Sequence, residues 1–134
     1  MKTVLFACVE NSFRSQIAEA YFNKYAPEGW NAVSAGITPA ERVHPDAVKL
    51  MLEEGIDISH KKPKPLTREL QEKADVAVIV CSSAFCPVVY ARHVEEWGMP
   101  DPAKMALDEA RKIRDAIKEK VLDLVKRLAE NKGA

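Results

Sequence analysis

The sequence has no long apolar run, no surplus of either charge and few cysteines, and each lack excludes a class of protein. No stretch approaches the ~20 consecutive apolar residues of a membrane-spanning helix, so no membrane association is expected. The opening "MKTVLFACVENS" carries one lysine and an apolar run too short for a secretory signal, and a cytoplasmic location is expected. Lysine and arginine total 20 against 20 acidic residues, a balance that speaks against a nucleic-acid partner. The cysteines number 3 and form no paired C-x2-C knuckle. In a reducing compartment such thiols are kept for chemistry rather than for staples. What remains is ordinary: 47% hydrophobic and 30% charged, too apolar for disorder. The 134 residues are about one domain's worth, and a single domain over 1–134 is expected.

Two periods alternate along the chain. "TVLFA", residues 3–7, is a continuous apolar run, as expected of a strand buried on both faces. From Ser15, the residues Ile17, Ala18, Tyr21, Phe22 and Tyr25 recur at helical spacing until Pro27 and Gly29 stop them. "NAVSAG", 31–36, predicts a second strand. "HPDAVKLMLEEG" predicts a helix with His44 and Pro45 at its start, Asp46 in its first turn and Gly55 at its end. "HKKPKP", 60–65, reads as a solvated loop, with oxyanion steering or a partner contact as the alternative. Thr67 is an N-cap for a short helix over 68–73. "ADVAVIV", 74–80, is the clearest strand, and a short one is expected near His93–Trp97. From Ala103, a stripe of Leu107, Ala110, Ile113, Ile117, Val121, Leu124 and Leu128 marks a last helix. Asp108–Lys112 and Asp123–Arg127 are spaced for ion pairs on its outer face. Strands alternating with helices imply an α/β doubly wound fold, with four parallel strands and helices on both faces. Such sheets take ligands beyond the carboxyl ends of their strands.

Cys8 and Arg14 stand at such an end, where the first strand turns into the first helix. A helix N-terminus offers free N–H groups and a positive dipole end, so it favours an anion. A loop curled around a tetrahedral oxyanion aims further N–H groups at it, from Val9, Glu10, Asn11, Ser12, Phe13, Arg14 and Ser15. The Arg14 guanidinium then closes the ring as a fork on two oxygens. The same field favours the Cys8 thiolate as a nucleophile, and the Ser15 hydroxyl can donate to it. Asn11 suits the left-handed backbone of such a loop, and the Glu10 carboxylate must point outward. A buried cysteine beside a surface arginine is the plain alternative, but it leaves the "NS" and "RS" around them unexplained.

"CVENSFRSQIAEAYF" resembles the C-x5-R-S phosphate loop of the low-molecular-weight protein-tyrosine phosphatases and of the thioredoxin-coupled arsenate reductases built on the same fold. The likeness continues through "VSAGI", "GIDISH" and "PDP" to the last helix. Phe13 departs from it, being bulky where the family carries a small residue. The resemblance implies that Asp101, followed by Pro102, is the general acid that protonates the leaving oxygen. Asp-Pro is also a common loop starter, and that reading stands beside it. The resemblance further implies a relay. Cys8 forms a covalent arsenic adduct, Cys81 attacks it and expels arsenite, and Cys86 takes over the disulfide for thioredoxin. The "SSAF" spacer between Cys81 and Cys86 suits a segment that moves during this relay.

Two other readings of these cysteines stay open: Cys81 as plain buried strand, and zinc held by Cys81, Cys86 and His93. His60 shows no ligand spacing, and Trp30 and Trp97 read as core or rim. Some relatives hold a structural cation at the positions of Asn11 and Ser34, and the resemblance leaves that open here; no other metal and no cofactor is expected. The expected activity is thioredoxin-coupled arsenate reduction. The alternatives are a phosphatase acting on phosphomonoesters through a Cys8 phosphoenzyme, and a non-catalytic thiol sensor with an oxyanion pocket.

Overall fold

β1, Lys2–Cys8, forms because an apolar run is paired on both sides. The computed structural model describes residues 1–81 and 91–130. β1 lies parallel between β2, Trp30–Gly36, and β3, Val76–Ile79, and β4, Val94–Glu96, pairs parallel with β3. The sheet order is therefore β2-β1-β3-β4, with every carboxyl end on one edge. β3 is shorter than the apolar run over 74–80 suggests. Asp75 is the reason for its late start: its carboxylate accepts the Thr3 N–H and its own N–H donates to the Thr3 carbonyl, each at 2.9 Å.

Side-chain alternation sends Val4 and Phe6 of β1, with Val76 and Val78 of β3, into the larger of two apolar clusters. Leu5, Ala7 and Cys8, with Ala77, Ile79 and Cys81, form the smaller one on the opposite face. Three helices roof the larger cluster. They are α1, Arg14–Tyr25; α2, Pro45–Leu52; and α4, Leu107–Glu130. Among the described residues, Val9, Val33, Leu66, Ala91 and Leu70 of α3, Arg68–Lys73, pack against the smaller cluster. Helices thus cover both faces.

Local signals in the sequence locate most of these ends. Thr67 Oγ1 accepts the Leu70 N–H at 3.1 Å and starts α3. His44 Nδ1 accepts the Asp46 N–H at 3.1 Å and starts α2. α4 begins at Leu107 rather than Ala103: the Met105 N–H closes a separate turn on the Pro102 carbonyl, and the first helical bonds run from the Glu109 and Ala110 N–H groups to the Ala106 carbonyl. On α4, Asp123 pairs with Arg127 as expected, but Asp108 pairs with Arg111 and Lys112 turns to Glu109.

Arg127 also grips Glu95 of β4 with two nitrogens, at 2.7 and 3.0 Å, so α4 is clamped to the edge strand. That contact, with help from Trp97 and His93, holds the Glu95 carboxyl at about 2. A carboxylate held below its ordinary value of ~4.3 stabilises the fold above that pH and loses the contribution as pH falls. Arg127→Ala should therefore cost about 1 kcal/mol at pH 7, the range of a partly exposed pair. Unfolding midpoints of variant and parent should converge as pH falls from 5 toward 2. A gap that stays constant would assign the loss to arginine packing instead.

Candidate active site

The turn after β1 is built from its backbone inward. The carbonyls of Cys8, Val9, Glu10 and Ser12 accept from the N–H groups of Ile37, Thr38, Ala40 and His44, at 2.8–3.3 Å. No peptide bond among the described residues is cis. In a trans peptide the C=O and the following N–H point oppositely, so the N–H groups of Val9, Glu10, Asn11 and Phe13 face the other way, into the loop. The Asn11 N–H reaches the Cys8 sulfur at 3.3 Å, as that geometry requires. Asn11 makes the turn at φ 54, in the left-handed region. Gly36 permits the close approach: a Cβ there would lie 2.6 Å from the Val9 carbonyl oxygen and 2.8 Å from the Asn11 nitrogen.

Side chains orient the sulfur. Asn11 Oδ1 accepts from the Lys64 N–H at 2.9 Å and from Gln16 Nε2 at 3.2 Å, which fixes its Nδ2 as the end facing Ser15. Asn11 Nδ2 donates to Ser15 Oγ at 2.7 Å, and Ser15 Oγ lies 3.0 Å from Cys8 Sγ. The Ser15 oxygen already accepts from an obligate donor, so its own proton is the one available to the sulfur. That arrangement suits a thiolate. Cys8 is a free thiol only 2% exposed.

The N-terminus of α1 has no side-chain cap and no acidic residue in its first turn, so its orphan donors remain open to an anion. Arg14 is buried, and one of its guanidinium nitrogens donates to the Met99 carbonyl at 2.9 Å. Asp101, two residues beyond, is exposed, and its carboxylate accepts the Ala103 N–H at 3.0 Å. Parallel strands thus deliver Cys8 and the Asp101 loop to one sheet edge, with Arg14 bridging to that loop.

Phe13 does not wall the pocket. Its ring is buried in the larger core cluster against His44, with centroids 5.1 Å apart. Its bulk is absorbed by the core, and only its backbone belongs to the loop. Glu10 is exposed, as an anion loop demands. Cys81 is 3% exposed, is in disulfide form, and shares the small apolar cluster with Cys8. Cys86 and the "SSAF" spacer lie outside the described residues. His93 pairs with Glu95 at 3.2 Å beside the edge strand, and Trp97 is core, its ring tilted against Phe6 with centroids 5.6 Å apart.

Sequence reasoning missed two residues behind the loop. Gln16 and Glu19 lie off the apolar stripe of α1, yet every residue from Arg14 to Phe22 is buried. Glu19 Oε1 accepts from the Ser34 hydroxyl at 3.1 Å. Lys64 and Lys61 bring their ammonium groups to within 3.8 and 3.5 Å of the same carboxylate. The 60–65 loop is therefore not merely solvated. A structural cation between Asn11 and Ser34 does not fit, because Asn11 Oδ1 is taken by two donors and two ammonium groups already face Glu19.

Known proteins resemble this chain in sequence and fold. An arsenate reductase of Brevibacillus brevis is 43% identical over 120 residues, covering 87% of this chain and 88% of the relative. A structure of an arsenate reductase in the phosphate binding state superposes with a TM-score of 0.84 at 31% identity, covering 95% of this chain and 98% of that one. A thioredoxin-dependent arsenate reductase of Corynebacterium glutamicum gives a TM-score of 0.78 at 31% identity, covering 95% of this chain and 61% of that one. The phosphate-loop geometry and a match over residues 3–134 lead to one conclusion: the chain belongs to the low molecular weight phosphotyrosine protein phosphatase family.

Proposed function

We propose that this chain is an arsenate reductase working by a three-cysteine relay. The Cys8 thiolate attacks arsenic(V) in a cradle of loop N–H groups and the Arg14 fork, and Asp101 protonates the departing oxygen. Cys81 then attacks the Cys8 sulfur. The sulfur–arsenic bond breaks, its electron pair stays on arsenic, and arsenite leaves with a Cys8–Cys81 disulfide behind. Cys86 displaces Cys8 from Cys81, which frees the nucleophile, and the Cys81–Cys86 disulfide is reduced by thioredoxin. The reaction needs no cofactor beyond that dithiol, and it belongs in the cytoplasm, where dithiol reductants are maintained.

The observation that carries this reading is the shared position of Cys8 and Cys81 in one small buried cluster. The named activity of the relatives supports it, and the thioredoxin dependence of the Corynebacterium protein supports the choice of reductant. The test is arsenate-dependent oxidation of NADPH in the presence of thioredoxin and thioredoxin reductase. Saturable turnover is expected, and its absence with an active phosphatase rate would replace the reading with hydrolysis.

Phosphomonoester hydrolysis is the second reading, favoured by the family match and by a first chemical step common to both reactions. Some phosphatase rate is therefore expected in either case, while reversible disulfides without any turnover would identify a sensor. Asp101→Asn should slow the first step by roughly 10²–10⁴-fold, as loss of a general acid does. Esters with good leaving groups should suffer least, and equal losses across leaving groups would reduce Asp101 to a loop-holding role.

A further inference from the structure

We propose that Lys61 and Lys64 are positioning residues, whose ammonium groups are the resident counter-charges of buried Glu19 and lock the strap they belong to onto the Cys8 loop. The inference concerns the same site as the proposed function, but it rests on the nucleophile's support rather than on arsenic chemistry. Glu19 is 2% exposed, and its Oε2 has no hydrogen-bond partner. A buried carboxylate in that state needs positive charge close by. Among the described residues, Lys61 at 3.5 Å from Oε2 and Lys64 at 3.8 Å from Oε1 supply it, reaching in from half-exposed stems.

The backbone of the same strap reaches the nucleophile. The Lys64 N–H donates to Asn11 Oδ1 at 2.9 Å, Asn11 donates to Ser15, and Ser15 faces the Cys8 sulfur. The Lys62 carbonyl accepts from Gln16 Nε2 at 3.4 Å, and the Lys64 carbonyl accepts the Gly36 N–H at 2.9 Å. Fixing the lysine heads on Glu19 therefore fixes the backbone donor that orients Asn11. Where the resemblance raises a bound cation, this chain carries its positive charge covalently.

The experiment reads Cys8 directly, by the rate of its alkylation with iodoacetamide at pH 7, resolved by peptide mass spectrometry, and by inorganic phosphate protection against it. The double variant Lys61→Gln/Lys64→Gln should alkylate roughly three- to tenfold more slowly and need correspondingly more phosphate for protection. Adding Glu19→Gln should restore both to within about twofold, since no buried charge then lacks its partner. Lys61→Arg/Lys64→Arg, which keeps the charges, should stay near the parent. Mere destabilisation would act oppositely, because unfolding exposes a buried thiol and speeds alkylation. Should the double variant fail to fold, Lys61→Gln alone carries the same comparison, being the cation nearest Oε2. An unchanged Cys8 rate, or an equal loss with and without Glu19→Gln, overturns the proposal. Neither outcome depends on arsenate turnover, so the inference and the reductase reading fail separately.

Discussion

Cys8→Ser should abolish both arsenate reduction and phosphate-ester hydrolysis while leaving the fold and phosphate binding largely intact. The expectation follows from how little else the sulfur does. The loop is held by backbone bonds to residues 37–44 and by the Asn11–Ser15 pair, none of which requires a thiol at position 8. A serine hydroxyl keeps the site's polarity but is not ionised at neutral pH, so both reactions lose their nucleophile. Arg14→Lys should also be severely impaired, because an ammonium cannot offer two parallel hydrogen bonds to a transition-state oxyanion. The lysine would in addition give up the Met99 contact that ties α1 to the Asp101 loop. Turnover assays and phosphate titration calorimetry separate the two effects. Near-normal rates in either variant would remove the phosphate-loop reading altogether.

Cys81→Ser should divide the two chemistries. It leaves Cys8, Arg14 and Asp101 in place, so ester hydrolysis should continue at a similar rate. Arsenate reduction should vanish, because nothing remains to attack the Cys8 sulfur of the arsenic adduct. Cys86→Ser should complete one round and then stall with thioredoxin. Mass spectrometry after arsenate treatment should find Cys8 bridged to Cys81 in that variant, and Cys81 bridged to Cys86 in the parent. If Cys81→Ser reduces arsenate as well as the parent does, the relay is wrong and the phosphatase reading takes its place.

Much of the architecture was legible because its signals are local. An apolar run ending in Cys8, a threonine before "RELQEK" and a proline after His44 each act within one turn of chain, and β1, α3 and α2 follow them. β3 was drawn too long because Asp75 spends its polar groups on Thr3, a partner 72 positions away. Gln16 and Glu19 escape a reading of the sequence for a related reason. Periodicity separates a wet face from a dry one, and the first turns of α1 have no wet face. Their burial comes from β2 and from the 60–65 strap, contacts that no window along the sequence contains. Phe13 was legible as a departure, but not that the core would absorb it. The loop proposed to carry the chemistry stands out in the sequence because Cys8, Asn11 and Arg14 fall within eight consecutive positions, Cys8 to Ser15.

The outward tethering of the loop carbonyls has a consequence for discrimination between oxyanions. A cradle braced before its ligand arrives is matched to one outline and one sign of charge, with little adjustment left to make. Arsenate and phosphate share that outline and that charge, so capture alone separates them poorly. On the arsenate reading, preference must then arise after capture, where arsenic accepts an electron pair from a departing sulfur and phosphorus does not. Phosphate becomes a standing competitor for the open site, and the working rate of the chain follows the ratio of the two anions rather than the arsenate level alone.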